Sequence, residues 1–88
     1  MNPLEVVLTL EAQEDIRHLT PVLQKRILDK LEWIGQNAQL LHHQALRGEE
    51  WKDCFKYRVG DYRIIYQLHW PDEQLIVLKV AHRRHVYD

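Results

Sequence analysis

The stretch that decides the fold runs Phe55-Lys56-Tyr57-Arg58-Val59-Gly60-Asp61-Tyr62-Arg63-Ile64-Ile65-Tyr66. Its first half alternates: Phe55, Tyr57 and Val59 point one way while Cys54, Lys56 and Arg58 point the other, the period-two pattern of a strand with one covered face. Gly60-Asp61 reads as a two-residue hairpin loop, glycine supplying the positive φ that such turns require. Tyr62 to His69 is the return strand. The loop sets the register, with Val59 opposite Tyr62, Arg58 opposite Arg63, Tyr57 opposite Ile64 and Lys56 opposite Ile65. One face then carries Phe55, Tyr57, Val59, Tyr62, Ile64, Tyr66 and Leu68, a core face for helices to cover. The other gathers Lys56, Arg58 and Arg63.

Downstream, Trp70-Pro71-Asp72-Glu73 makes another turn and Gln74 to Ala81 a third strand. This strand heads back toward the hairpin turn, so His82-Arg83 arrives beside the start of the strand carrying Arg63, and Tyr87 follows on a short tail. Upstream, Leu4 to Leu8 is an apolar run of strand length. Thr9 serves as an N-cap for a first helix with Ala12, Ile16 and Leu19 on one face. Thr20-Pro21 restarts helical structure, because threonine accepts from an orphan N–H and proline at the first helical position has none to waste. Leu23, Ile27, Leu31 and Ile34 form its apolar stripe, with Gly35 or Asn37 ending the helix. Gln36 to Glu50 reads as a loop. The order β-α-α-β-β-β predicts an α+β domain, a helical hairpin covering one face of a small, mainly antiparallel sheet. No repeat or linker divides residues 1–88, so a single domain is expected.

The composition, 45% hydrophobic and 28% charged, is that of a globular domain. No apolar run approaches the roughly 18 residues of a membrane span, and the opening MNPLEVVLTLE lacks the basic and apolar regions of a signal peptide. A cytoplasmic location without membrane contact is the expectation. The lone Cys54 has no partner for an intrachain disulfide and reads as a small buried hydrophobe. His18, His42, His43 and His69 are scattered without metal-ligand spacing, so no metal is expected.

A formal charge of −1 argues against a uniformly basic coat, but the charges are sorted. Met1 to Gln44 carries four Lys or Arg against six acids, and Ala45 to Asp88 carries eight against seven. Lys56, Arg58, Arg63 and Arg83 come to one region from separate segments, with Arg47, Lys52 and Arg84 nearby in sequence. Two readings stand for this cluster: a solvated basic face, or a phosphate site in which cations stabilise developing negative charge.

Four stretches together resemble a known family. Leu46-Arg47-Gly48, Asp53 to Val59, Gly60 to Tyr66, and Ala81-His82-Arg83-Arg84-His85-Val86-Tyr87 are similar to the RelE toxins of the RelE/ParE superfamily. The resemblance covers nearly the whole chain. It implies the toxin of a type II toxin–antitoxin pair: a metal-independent endoribonuclease that cuts mRNA in the ribosomal A site, using the RNA's own 2′-hydroxyl and leaving a 2′,3′-cyclic phosphate and a 5′-hydroxyl. It also implies a cognate antitoxin as partner, with operator DNA contacted only through it; charge complementarity makes that partner acidic where it meets the basic patch.

By the same resemblance Lys56, Arg63, Arg83 and Tyr87 match the family's active-site residues, and Arg58 stands where relatives often have lysine. Arg58 keeps the charge but is a weaker proton carrier, because arginine is effectively never deprotonated. Arg58, Lys52, Arg47 and Arg84 are the expected RNA contacts. Tyr87 is the first choice of base because surrounding cations favour a phenolate, and by the same reasoning Lys56 yields its proton more readily, so base and acid stay unassigned between them. His82 also suits proton transfer near neutrality, against the plainer reading of a strand-end histidine, and His85 shares that ambiguity. ParE-type relatives share the fold and the hairpin arginine but inhibit DNA gyrase. Lys56, Arg83 and the ending Val86-Tyr87 argue for the nuclease, the near-neutral charge argues slightly against a ribosome binder, and a member that only binds its antitoxin is the third reading.

Overall fold

The computed structural model describes residues 2–87. The chain runs β1 (Glu5–Leu8), α1 (Leu10–Arg17), α2 (Pro21–Asn37), β2 (Gln44–Ala45), β3 (Phe55–Val59), β4 (Tyr62–His69) and β5 (Gln74–His82), with single 3₁₀ turns at Glu49–Trp51 and Trp70–Asp72. The five strands form one sheet in the order β1-β5-β4-β3-β2. β1 lies parallel to β5 and every other pairing is antiparallel.

Both helices start where threonine caps them. Thr9 Oγ1 accepts from the Ala12 N–H at 3.1 Å and Thr20 Oγ1 from the Leu23 N–H at 3.4 Å. Ala12 and Ile16 of α1 and Ile27, Leu31 and Ile34 of α2 are buried against Val59, Ile64, Tyr66, Leu75, Val77 and Val80 of the sheet. Gly35 does not end α2; it lies inside the helix, where β1 crosses. The Leu4 N–H donates to its carbonyl at 2.9 Å, and a Cβ there would sit 2.7 Å from the Leu4 carbonyl oxygen.

The β3–β4 hairpin has the predicted register from Phe55 opposite Tyr66 to Val59 opposite Tyr62, with Gly60 at φ +58° in the loop. All seven residues of the expected core face pack in the cluster under the helices. The segment read as a loop from Gln36 to Glu50 differs in two respects: α2 continues to Asn37, and Gln44–Ala45 pair with Lys56 and Phe55 as β2. Two residues are too few to display an alternation, so only the partner strand defines them.

β5 carries a bulge. Ile65 faces Lys79 and Tyr66 faces Val77, which leaves Leu78 as the extra residue and puts Leu78 and Lys79 together on the side away from the helices. β1 ends opposite Val77, and α1 takes over the exposed edge beyond it. The Thr9 hydroxyl donates to the Leu78 carbonyl at 3.3 Å, and an Asp15 carboxylate oxygen accepts from the Val80 N–H at 3.0 Å. Two backbone groups that β1 fails to reach are thereby satisfied. Among the described residues no helix is long and apolar enough to cross a membrane.

Candidate functional site

The face of the sheet away from the helices holds the residues of interest. Lys56 and Arg58 alternate along β3, and their partners Ile65 and Arg63 stand directly opposite on β4. Lys79 faces Ile65 from β5, so Lys79, Ile65 and Lys56 form one row, and Ala81, Arg63 and Arg58 the next. Lys79 entered the site only through the bulge, whose position the sequence pattern does not reveal.

Like charges opposite each other in a hairpin repel. Arg58 and Arg63 turn their guanidiniums to backbone carbonyls, Arg58 Nε donating to Gly60 at 3.1 Å and Arg63 Nη1 to Tyr62 at 3.4 Å. Among the described residues neither they nor Lys56 pairs with a carboxylate. Among the described residues no ion pair offsets the cost of holding these cations together, which suits a surface that takes up an external anion.

A second, smaller apolar cluster supports this face. Cys54, Ile65 and Val86 are buried in it, with Leu46, Trp51, Leu78 and Ala81 packed around them. Val86, 1% exposed, pins the C-terminal segment across the sheet. The next residue, Tyr87, is 52% exposed, its ring edge-on to Trp51 with centroids 6.0 Å apart. Tyr87, Trp51, Lys56 and Arg47 line one open cleft of about 520 Å³ that also includes Glu50.

The other expected residues lie outside this cleft. Arg83 sits at the hairpin end, its N–H bonded to the Asp61 carbonyl at 2.7 Å and its Nε 3.9 Å from the Asp61 carboxylate. Lys52 and Arg84 are exposed, Lys52 beside the 3₁₀ turn and Arg84 in the turn after β5. His82 is separated from the cations: it faces Tyr62 across the strands, the rings 5.6 Å apart, on the helix side of the sheet. Its Nδ1 accepts from the Arg84 N–H at 3.2 Å. One residue after Ala81, the alternation of β5 turns His82 away from Lys56 and Arg63. Trp51 was not singled out in sequence; it lies in a stretch without periodicity, and only the return of the C-terminal segment brings it to Tyr87.

Another cleft, about 460 Å³, opens at the far ends of β3 and β4 beside Asp53, Gln67, His69 and Trp70, and no Lys or Arg lines it. Among the described residues no three His, Cys, Asp or Glu side chains gather as a metal site.

The fold agrees with comparisons to known proteins. The chain superposes on the toxin–antitoxin complex RelBE2 of Mycobacterium tuberculosis with a TM-score of 0.82 and 26% identity, covering 94% of each chain. The isolated Escherichia coli RelE toxin gives a TM-score of 0.73 at 21% identity, over 90% of this chain and 83% of that one. The YoeB/ParE toxin of Agrobacterium tumefaciens gives 0.71 at 15%, over 90% and 98%. Curated protein sequences offer no match. The family model described as the ParE toxin of the type II toxin–antitoxin system parDE matches residues 6–87. With that match spanning nearly all of a chain that has the RelE fold, the protein belongs to the ParE toxin family and is a type II toxin of the RelE/ParE superfamily.

Proposed function

We propose that this toxin is a ribosome-dependent endoribonuclease that cuts mRNA in the A site and so arrests translation. The observation that carries the reading is the convergence of Lys56, Arg58 and Arg63 on one sheet face, with Lys56 sharing a cleft with the half-exposed Tyr87. Cleavage by the RNA's own 2′-hydroxyl needs only three things from the protein. Cations must stabilise the charge that builds on the phosphate oxygens, a base must take the 2′-proton, and an acid must protonate the departing 5′-oxygen. Arg63, with Arg83 at the adjoining hairpin end, supplies the first. Lys56 and Tyr87 share the proton transfers. His82, on the opposite side of the sheet, has no part in this scheme. Arg58, Arg47, Lys52 and Arg84 hold flanking phosphates.

The small net charge fits a toxin that relies on the ribosome to present its substrate, since few cations give little free affinity for RNA. The reading places the protein in the cytoplasm with a cognate antitoxin, as the RelBE2 complex has. The match to the ParE family favours a second reading, inhibition of DNA gyrase.

Expression in cells followed by primer extension on translated mRNA separates the two. New cuts within codons are expected, with plasmid supercoiling unchanged; loss of supercoiling without cuts would overturn the nuclease in favour of gyrase inhibition. Arg83→Ala is expected to abolish growth arrest while antitoxin still binds, and preserved toxicity would remove Arg83 from the chemistry.

A further inference from the structure

We infer that Trp51 is the stacking platform for one unpaired nucleobase of the bound strand, with Tyr87 as the adjoining wall of the same pocket, Lys56 at the phosphate to be cut and Arg47 receiving a flanking one. The inference deepens the nuclease reading above and rests on it. Single-stranded nucleic acid is held by two elements, aromatic faces for bases and cations along the backbone, and the cleft combines both within about 520 Å³, inside the roughly 300–1,000 Å³ range of small-ligand sites.

The aromatic wall is fixed before any ligand arrives. Trp51 ends the 3₁₀ turn, its N–H donating to Gly48 at 3.1 Å and its carbonyl accepting from the Cys54 N–H at 3.0 Å. Its ring packs against the buried Cys54, Ile65 and Val86 cluster on one side and meets Tyr87 at 72°. An edge-on pair covers less ring surface than a stacked one, and Trp51, only partly buried, keeps surface that a planar base can cover. Lys56 and Arg47 line the same cleft, and among the described residues neither is paired with a carboxylate. Among the described residues Glu50 is the carboxylate of the lining; an ionised carboxylate only accepts hydrogen bonds, so it favours a base with an amino group over uracil, whose N3–H is flanked by two carbonyl oxygens that the carboxylate repels.

The test uses the full-length toxin and a six-nucleotide single-stranded RNA carrying 2′-O-methyl groups, which cannot be cut by 2′-hydroxyl attack. Binding is followed by fluorescence anisotropy at low salt beside single-turnover cleavage on mRNA-programmed ribosomes. Trp51→Leu keeps apolar bulk in the cluster and removes the stack; its affinity is expected to fall about 5- to 150-fold, the range for losing one base–aromatic stack. Trp51→Phe is expected to stay within about threefold of wild type, and thermal melts of both variants check the fold. Cytidine oligomers are expected to bind more tightly than uridine oligomers, with the difference lost in Glu50→Ala.

Equal affinity of Trp51→Leu and wild type would overturn the platform, as would an equal loss in Trp51→Phe and Trp51→Leu. If the platform fails while ribosomal cleavage persists, the nuclease reading stands alone. If RNA binding depends on Trp51 but no mRNA is cut, the pocket stands and the nuclease reading falls.

Discussion

The Tyr66 hydroxyl lies 2.6 Å from Nδ1 of His43, whose Nε2 lies 2.6 Å from the Ala38 carbonyl. A carbonyl only accepts, so in the neutral ring Nε2 carries the proton and Nδ1 accepts from the phenol. The chain leaving α2 is thus tied to the centre of β4, beneath the basic face. Burial, with a smaller contribution from Tyr57, pushes Tyr66 from 10.0 up to about 12.

Alkaline unfolding should report this phenol. Above pH 10 an unfolded Tyr66 ionises while the folded one stays protonated, so its contribution is complete below pH 10 and is lost as pH rises toward about 12. Between these limits wild type should lose about 1–3 kcal/mol more than Tyr66→Phe in urea melts. At pH 7 Tyr66→Phe should cost about 1 kcal/mol, the worth of the hydrogen bond to His43. Parallel pH profiles of the two proteins would refute the assignment.

Gly35→Ala should destabilise although alanine is the better helix former by about 1 kcal/mol. The added Cβ would stand 2.7 Å from the Leu4 carbonyl oxygen, a backbone atom just before β1 whose own N–H is bonded to the Gly35 carbonyl, and such overpacking costs about 1–3 kcal/mol. A melting temperature equal to or above wild type would show that β1 yields easily.

Asp15 holds the edge of β5 that β1 does not reach. Asp15→Ala should cost about 1–3 kcal/mol by stranding the Val80 N–H. Asp15→Asn, which keeps an acceptor oxygen, should recover most of it. Hydrogen exchange at Val80 would report the loss directly, and unchanged protection in the alanine variant would contradict the role.

Arg58 and Arg63 repel across the hairpin. Arg58→Gln should raise stability by about 0.2–1 kcal/mol at low salt. The gain should fade at 1 M salt, where screening is nearly complete. A gain that persists at high salt would point to a cause other than charge.

Val86 anchors the segment that carries Tyr87. Val86→Asp should release it, removing toxicity while antitoxin binding persists. Because a short terminal segment docks at little net gain after its ordering entropy, the melting temperature should fall by no more than about 4–8 °C, the equivalent of ~1 kcal/mol in a domain of this size. Full toxicity in this variant would separate Tyr87 from the site.

Much of the candidate site was legible because it lies on the hairpin. A two-residue loop and a strict alternation leave one register, so Lys56, Arg58 and Arg63 had to share a face once Gly60 made the turn. His82 shows the limit of such reasoning. Its sequence neighbour Arg83 reaches the hairpin end, yet alternation puts His82 beside Tyr62 on the helix side.

Local chemistry alone determined the helix starts at Thr9 and Thr20, the hairpin turn and the covered face of β3 and β4, because caps, turns and periodicity act over a few residues. Only the tertiary structure decided the rest. β2 exists because β3 offers it a partner, and Gly35 serves a strand crossing rather than a helix end. Leu78 bulges where β5 passes from β1 to the edge held by α1, which brings Lys79 into the basic face. Trp51 and Tyr87 meet because Val86 finds a buried pocket between them and the sheet. Each of these depends on contacts between segments far apart in the chain, and burial and sheet pairing choose such contacts collectively, leaving no local pattern to read.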